Sequence, residues 1–408
     1  MARPVFPLAS SFTCVLAIVA LTGSVVQAGE GRLSGFGAME VRVFPSAPAN
    51  SDQDDGTVSP SVLVQPEYRY KSSDGANLLT VVPFLHYDVD DDNRTHFDLR
   101  ELSWRHRRGD WDLLIGVGKV FWGVTESRHL VDIVNQTDAV ESPDGEDKLG
   151  QPMINLTHDN GWGMFSALVM PRFRTRTFPD SDARLRGAMA VEVDDPVFES
   201  GAKKWHVDYA GRWWSNLGDL DLGLAFFKGT SREPRLVAGT RGGKSGLIPH
   251  YDQIDQPSLD AQYAHENWLW KLEAFSRGGH GDRFQAAVGG FEYTFHGVAG
   301  AKGDLGALAE YLYDGRGAGA PATSADDDVF MALRFSFNDP QSTEILAGAM
   351  VDRDSRATSL SVEAERRIGQ NWKLELELRA LFNTGIDETV LGGLREDDFL
   401  LMRLSRYF

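Results

Sequence analysis

The stretch Trp372–Phe382 constrains the fold most. Trp372, Leu374, Leu376, Leu378, Ala380 and Phe382 share one face, and Lys373, Glu375, Glu377 and Arg379 share the other. Apolar residues recurring at every second position describe a β-strand with one oily side and one charged side. A helix would space them by three or four. The same alternation predicts strands at Arg32–Phe44, Val62–Tyr70, Leu78–Tyr87, Phe97–Arg107, Trp111–Val120, Ile154–His158, Trp162–Met170, Trp205–Trp214 and Leu220–Phe227. It continues through Leu259–His265, Trp268–Ser276, Phe284–Phe295, Leu305–Tyr313, Val329–Phe337, Ile345–Val351, Thr358–Ile368, Trp372–Phe382 and Asp398–Phe408. The count is about 18 strands, with 16 as the neighbouring even number for a bacterial barrel.

The closing stretch Asp398–Phe408 ends on an aromatic residue. Leu400, Met402, Leu404, Arg406 and Phe408 share one face, and Leu401, Arg403, Ser405 and Tyr407 the other. An edge strand of a soluble domain is usually blunted or followed by a polar tail. A strand this apolar is built to pair on both sides, which a closed barrel provides. The expectation is therefore an all-β transmembrane barrel, up-and-down and antiparallel, whose last strand closes on its first. The stretch resembles the C-terminal signature of Gram-negative outer-membrane barrels, which implies recognition by the barrel-assembly machinery. Arg406 departs from that signature, which places an apolar or aromatic residue there.

Residues 1–28 read as a secretory signal peptide: Arg3 supplies the charge, Val15–Leu21 the apolar run, and Val26-Gln27-Ala28 the cleavage site. Residues 29–408 would then form one barrel in the outer membrane after Sec-dependent export. Cys14, the single cysteine, lies in the signal, so the mature chain would carry no disulfide, thiolate metal site or cysteine nucleophile. Beyond the signal no run of 18 apolar residues occurs, which excludes spanning helices. The formal charge of -18 argues against nucleic acid as a partner.

The connections alternate. Short ones such as Ser72-Ser73-Asp74-Gly75 and Asp159-Asn160-Gly161 follow even-numbered strands, and long ones follow odd-numbered strands. Short periplasmic turns and long extracellular loops give this asymmetry when the N-terminus is periplasmic. Phe121–Pro152 is the third long loop. It offers Glu126, Arg128, Asp132 and Asp138 as candidate pore-constriction charges, with Leu130, Val131, Ile133 and Val134 to pack on the wall. Over Arg100–Asp138 the chain resembles porin-like outer-membrane proteins near the alginate-export-type barrels. That resemblance implies a third loop folded into the lumen. A loop that only caps the barrel is the alternative.

Inside the barrel, Arg42, Glu67, Arg69, Arg212, Arg334, Glu375, Glu377, Arg379 and Arg403 are candidate lumen charges, beside others such as Glu40 and Glu273. Charges of mixed sign imply a wet interior, because isolated dry charges are costly. Pairing across strands could instead fill the pore with salt bridges. At about 18 strands the interior is too wide for side chains alone to fill, which favours a channel.

The acidic stretches Asp52–Asp55, Asp88–Asp92, Asp326-Asp327-Asp328 and Asp352-x-Asp354 fall at the long-loop end. They read as solvated loops bridged loosely to lipopolysaccharide by Mg²⁺ or Ca²⁺. Asp88-x-Asp90-x-Asp92 mimics a calcium loop only in part, since Leu99 stands where the closing Glu belongs. Gly242-Gly243-Lys244-Ser245 ends like a phosphate-binding loop, but Ala238 replaces its first glycine. His96, His206 and His265 sit on predicted strands without ligand spacing. Trp122, Trp205, Trp213, Trp268, Trp270 and Trp372 read as interfacial belts.

The reading is a non-enzymatic outer-membrane channel for passive diffusion of small solutes, without cofactor or metal. Its partners would be outer-membrane lipid, lipopolysaccharide and the solutes, with a homotrimer left open. A polymer-export barrel would want a lumen of one sign. An outer-membrane lipid hydrolase would want a Ser–His pair near the bilayer edge, and no such pair is evident.

Overall fold

The computed structural model describes residues 29–142, 144–241, 243–385 and 390–408. The expected signal peptide, with Cys14, lies outside the described residues. The strands are β1 Glu30–Val43, β2 Val58–Lys71, β3 Asn77–Asp88, β4 His96–Arg108, β5 Trp111–Gly118, β6 Gln151–Asp159, β7 Met164–Met170, β8 Val197–Phe198, β9 Asp208–Leu217, β10 Leu220–Thr230 and β11 Arg235–Arg241. They continue with β12 Lys244–Tyr251, β13 Gln253–His265, β14 Trp268–Arg277, β15 Phe284–Gly297, β16 Gly303–Asp314, β17 Asp327–Ser336, β18 Glu344–Asp352, β19 Thr358–Ile368, β20 Trp372–Phe382 and β21 Phe399–Tyr407.

All but β8, β11 and β12 form one 18-stranded sheet in which each strand pairs with the next along the chain. The sheet closes antiparallel: Met39 pairs with Leu404 and Val41 with Met402. Phe408 exchanges both backbone hydrogen bonds with Gly35, at 3.0 and 3.1 Å. Gly35 sits at φ 146°, and a Cβ there would lie 2.5 Å from the Gln65 carbonyl oxygen, so the seam needs a glycine. Pro83 in β3 falls at a register shift between Val82 and Pro83, where the ladder does not ask for its missing N–H.

The alternation read from the sequence sorts the two faces. Met39 is 66% exposed, Phe97 67% and Met331 59%, whereas Glu40, Asp98, Asp260, Glu273 and Glu310 are buried. Oily side chains therefore point outward around a polar interior. Hydrocarbon satisfies such an exterior and water does not. Aromatic patches mark the belt: Trp268, Trp270, Phe291 and Tyr293 form one, and Trp162, Phe165 and Trp213 another. Arg406, the departure from the C-terminal signature, lies outside on the Trp372 ring, 5.5 Å from its centroid, as a cation–π contact.

Several expectations need correction. Trp122 is no belt residue: it is buried in the third long connection with Arg212 stacked 5.3 Å from its ring. Trp205 and His206 precede β9, with Trp205 in a short 3-10 turn, Lys203–Trp205. Loop lengths follow the expected alternation except at three places. Connections 278–283 and 353–357 are short at the long-loop end, and 337–343 is longer than its counterparts at the other end. The long connections also hold the hairpin β11–β12, which pairs in parallel with β8 as a separate three-stranded sheet. Lys244 and Ser245 of the phosphate-loop decoy belong to β12 of this hairpin, where Arg241 pairs with Lys244.

The third loop and the lumen as candidate functional site

The connection 119–150 leaves β5 and turns inward. Its apolar residues drive the turn: Trp122, Val131, Ile133 and Val134 are buried with Leu114, Met153, Leu168, Ala210, Phe227 and Ile254 from the wall β5–β13. Leu130 packs on a second apolar cluster that includes Phe275, Phe284 and Leu312. Each such side chain contributes ~1.5–3 kcal/mol on burial, which offsets a large part of the entropy of ordering the segment that carries them. Asn135 holds the base of the loop. Its Oδ1 accepts from the Val120 N–H at 2.8 Å, and its Nδ2 donates to the Gly118 and Leu149 carbonyls at 3.0 and 2.8 Å.

Two wall carboxylates receive the tip. Glu273 of β14, 0% exposed, accepts from the N–H groups of Val124, Thr125 and Val131 at 2.6, 3.0 and 3.1 Å, and from the Thr125 hydroxyl at 2.8 Å. Glu310 of β16 accepts from the N–H groups of Glu126 and Ser127 at 2.9 and 2.8 Å, and from the Ser127 hydroxyl at 2.6 Å. A carboxylate holding several N–H donors is among the stronger neutral-to-charged anchors, at ~1.5–3 kcal/mol per bond. The loop thus crosses from β5 to β14 and β16.

The four loop charges singled out in the sequence are all engaged. Glu126 meets Arg334 of β17 at 2.6 Å and Lys271 of β14 at 3.6 Å. Arg128 donates to Thr323 Oγ1 at 3.0 Å and lies 3.5 Å from Glu233. Asp132 accepts from the Trp122 N–H at 3.4 Å and faces Lys148 at 3.6 Å, while burial pushes its carboxyl up to about 6. Asp138 lies against the other wall, 2.6 Å from Arg100 of β4 and 3.6 Å from His96, with Thr177 donating at 2.6 Å. Burial raises its carboxyl, but His96 and Arg100 together hold it well below the usual range.

The nine lumen candidates fall on the inner face and are mostly paired. Arg42 donates to the Glu141 carbonyl at 3.0 Å, and Arg403 bonds Glu40 across the closing seam. Arg212 meets Asp260 at 2.8 Å. Arg379 joins Glu377 and Glu363 of the wall to Asp144 of the loop, each at 2.7–2.8 Å. Lys373 bridges Glu375 and Glu365 at 2.9 and 2.8 Å. Arg69 and Glu67 pair at 2.6 Å near the short-turn end. The cross-strand pairing weighed as an alternative to a wet lumen is therefore present. It does not dry the whole interior: the Arg69 and Glu365 side chains are 56% and 48% exposed, against 0% for Glu40 and Glu273. One end is open to water, and the stretch crossed by the loop is packed.

Residues that sequence reasoning left out complete the site. Glu310 carries half of the tip anchor. The Glu141 carboxylate accepts from His86 Nδ1 at 2.9 Å. Arg94 bridges Glu40 and Asp88 at 2.6 Å each. His129 is placed 3.4 Å from Glu146 and 3.8 Å from Glu273. Burial pulls its imidazole down, but these two carboxylates push it up to about 10. Its folded value lies above the ordinary 6.5, so its contribution is complete below 6.5 and disappears as pH climbs through about 10. The stability gap between wild type and His129→Gln should be widest near pH 6 and close above about pH 10. Urea midpoints across that range measure it, and a constant gap would refute the charged pairing.

No family model matches the sequence, and no curated protein matches it. Solved structures do. Pseudomonas aeruginosa OccK3 (OpdO) superposes with a TM-score of 0.54 at 9% identity, covering 94% of this chain and 96% of its own. A BenF-like porin from Pseudomonas fluorescens Pf-5 gives 0.53 at 9% identity over 94% and 98%. Pseudomonas aeruginosa OccK8 (OprE) gives 0.52 at 10% identity over 94% and 98%. Across nearly the whole length of each, the chain has the closed barrel fold of outer-membrane porins.

Proposed function

We propose that this protein is an outer-membrane channel for passive diffusion of small hydrophilic or organic solutes, narrowed by the loop 121–152. The observation that supports it most is the route of that loop, pinned to Glu273 and Glu310 on one side and to Arg100 on the other. Solutes would pass between the Glu126 and Arg128 positions and the charged inner faces of β19–β21, while Asp132 and Asp138, both sealed from water, hold the loop in place instead of lining the path. Selection would follow width and lining charge, and no covalent step is needed. The mixed signs of Arg379, Lys373, Glu363 and Glu375 favour small polar solutes over a polymer of one charge. The barrel would sit in lipid, touch lipopolysaccharide at its long loops, and act alone or as a homotrimer.

Purified barrel, shown to be folded by its heat-dependent gel mobility, should give stepwise currents in planar bilayers. Absence of such steps from folded protein would overturn the channel reading.

A further inference from the structure

At the rim of the barrel, Asp326, Asp328 and Asp352 bring carboxylate oxygens within 4.8 Å of one another. Asp326 ends a long connection, Asp328 is the second residue of β17, and Asp352 ends β18. Asp328 and Asp352 stand directly opposite in the β17–β18 register. Like charges in that position repel, so the arrangement is unfavourable unless something neutralises it.

The protein's own cations do not supply that neutralisation. Among the described residues, no lysine, arginine or histidine forms an ion pair with these groups. Arg353, the neighbour in sequence, is turned to Asp327 at 2.8 Å, and Arg316 to Asp314 at 2.6 Å. Asp328 is 2% exposed, and its Oδ2 has no hydrogen-bond partner. The apolar cluster of Leu312, Ala325 and Phe330, with Met350 against it, continues along the same inner face and leaves little water behind the carboxylates. Asp352 uses Oδ1 for the N–H groups of Asp354 and Ser355, which fixes that carboxylate at the end of its strand. Burial and the Asp352 charge hold the Asp326 carboxyl above its ordinary range.

The other acid-rich group contrasts with it. His96, Asp138 and Glu141 also lie close together, but Arg100 is 2.6 Å from Asp138 and His86 2.9 Å from Glu141. Its Asp138 is paired with an arginine and its Glu141 is hydrogen-bonded by a histidine.

We propose that Asp326, Asp328 and Asp352 bind one Ca²⁺ and so tie the 315–326 connection to β17 and β18. Hard divalent cations take oxygen ligands. Ca²⁺ accepts irregular sets of six to eight, and water completes what three carboxylates begin. Mg²⁺ asks for near-ideal octahedral geometry, which donors from two strands and a loop do not impose. The site does not depend on the channel reading, because it lies in the rim and binding is measured without any current.

The test uses the full folded barrel in detergent, stripped of metal and free of lipopolysaccharide, titrated calorimetrically with CaCl₂. Wild type should take up Ca²⁺ with an affinity of about 1 mM or tighter, as open extracellular sites do. Asp328→Asn and Asp352→Asn should each weaken binding at least tenfold. Asp354→Asn, an exposed neighbour outside the cluster, should leave it unchanged. Heat-dependent gel mobility identifies folded variants, and Asp352→Asn decides alone if Asp328→Asn does not fold. Binding equal to wild type in the folded variants would place the metal on other acidic loops and overturn the proposal. So would an absence of uptake by wild type, which would mean that the carboxyls share protons instead.

Discussion

Deleting Glu126–Asp138 should raise single-channel conductance several-fold and blur ion selectivity. The deleted residues include the segment that crosses the lumen, which the proposed reading makes the constriction, so the conducting cross-section should grow there. The electrostatic change has two sides. Lys271, Arg334 and Arg100 lose the carboxylates that face them at 3.6, 2.6 and 2.6 Å. Glu310 loses the N–H groups of Glu126 and Ser127, and Glu273 that of Val131, so wall anions are bared as well. Charges of both signs face a wider and better screened passage, and discrimination falls. The deletion also removes Val131, Ile133 and Val134 from their cluster, so a lower unfolding midpoint is expected alongside. Glu273→Ala separates the two effects. It keeps the loop but removes the carboxylate that four donors share, and it should give noisy currents of intermediate size. Unchanged conductance from a folded deletion variant would mean that the segment does not limit flow.

The strands were legible because a barrel between lipid and water writes its two faces into alternate residues. All of the expected strands find a place in the barrel, including short ones such as Met164–Met170. What the alternation cannot encode is which inner charges do structural work. Glu273 and Glu375 look alike in sequence, each a glutamate between apolar neighbours on a strand. One is sealed under the loop and the other bridges to Lys373 in a watery stretch. The partners of Glu273 lie 142–149 residues away along the chain, so no local window contains the relation. Trp122 fails for the same reason: a tryptophan just beyond a strand end suits a belt until the loop is seen to carry it inward. The hairpin β11–β12 was within reach, because Gly242-Gly243 is a turn signal. Arg235–Arg241 lacks the apolar alternation that marks the barrel strands, since it forms part of a separate small sheet and not of the wall.

Arg94→Met should destabilise the barrel by ~3–5 kcal/mol, the range for breaking a buried pair by removing one partner. Arg94 belongs to the 89–95 connection, yet it is 1% exposed. Its Nη1 meets Asp88 Oδ2 and its Nη2 meets Glu40 Oε2, both at 2.6 Å. Glu40 also accepts from Ser61 at 3.1 Å and bonds Arg403 of the last strand. Arg94 therefore balances charge where the first strand joins its neighbours on both sides. Methionine fills much of the arginine's volume, so the loss reflects uncompensated carboxylates more than a cavity. Asp88 is left without its cation, and Glu40 keeps Arg403 and the Ser61 hydroxyl, with His86 3.7 Å away. Adding Asp88→Asn to Arg94→Met should recover a large part of the loss, because an uncharged amide costs far less to bury than an unpaired carboxylate. Urea unfolding in lipid vesicles, followed by tryptophan fluorescence, measures both variants. A loss below ~1 kcal/mol for Arg94→Met would place it with exposed surface pairs and show that water reaches these carboxylates. Equal losses with and without Asp88→Asn would instead assign the effect to packing, leaving the seam held by backbone pairing and apolar contact.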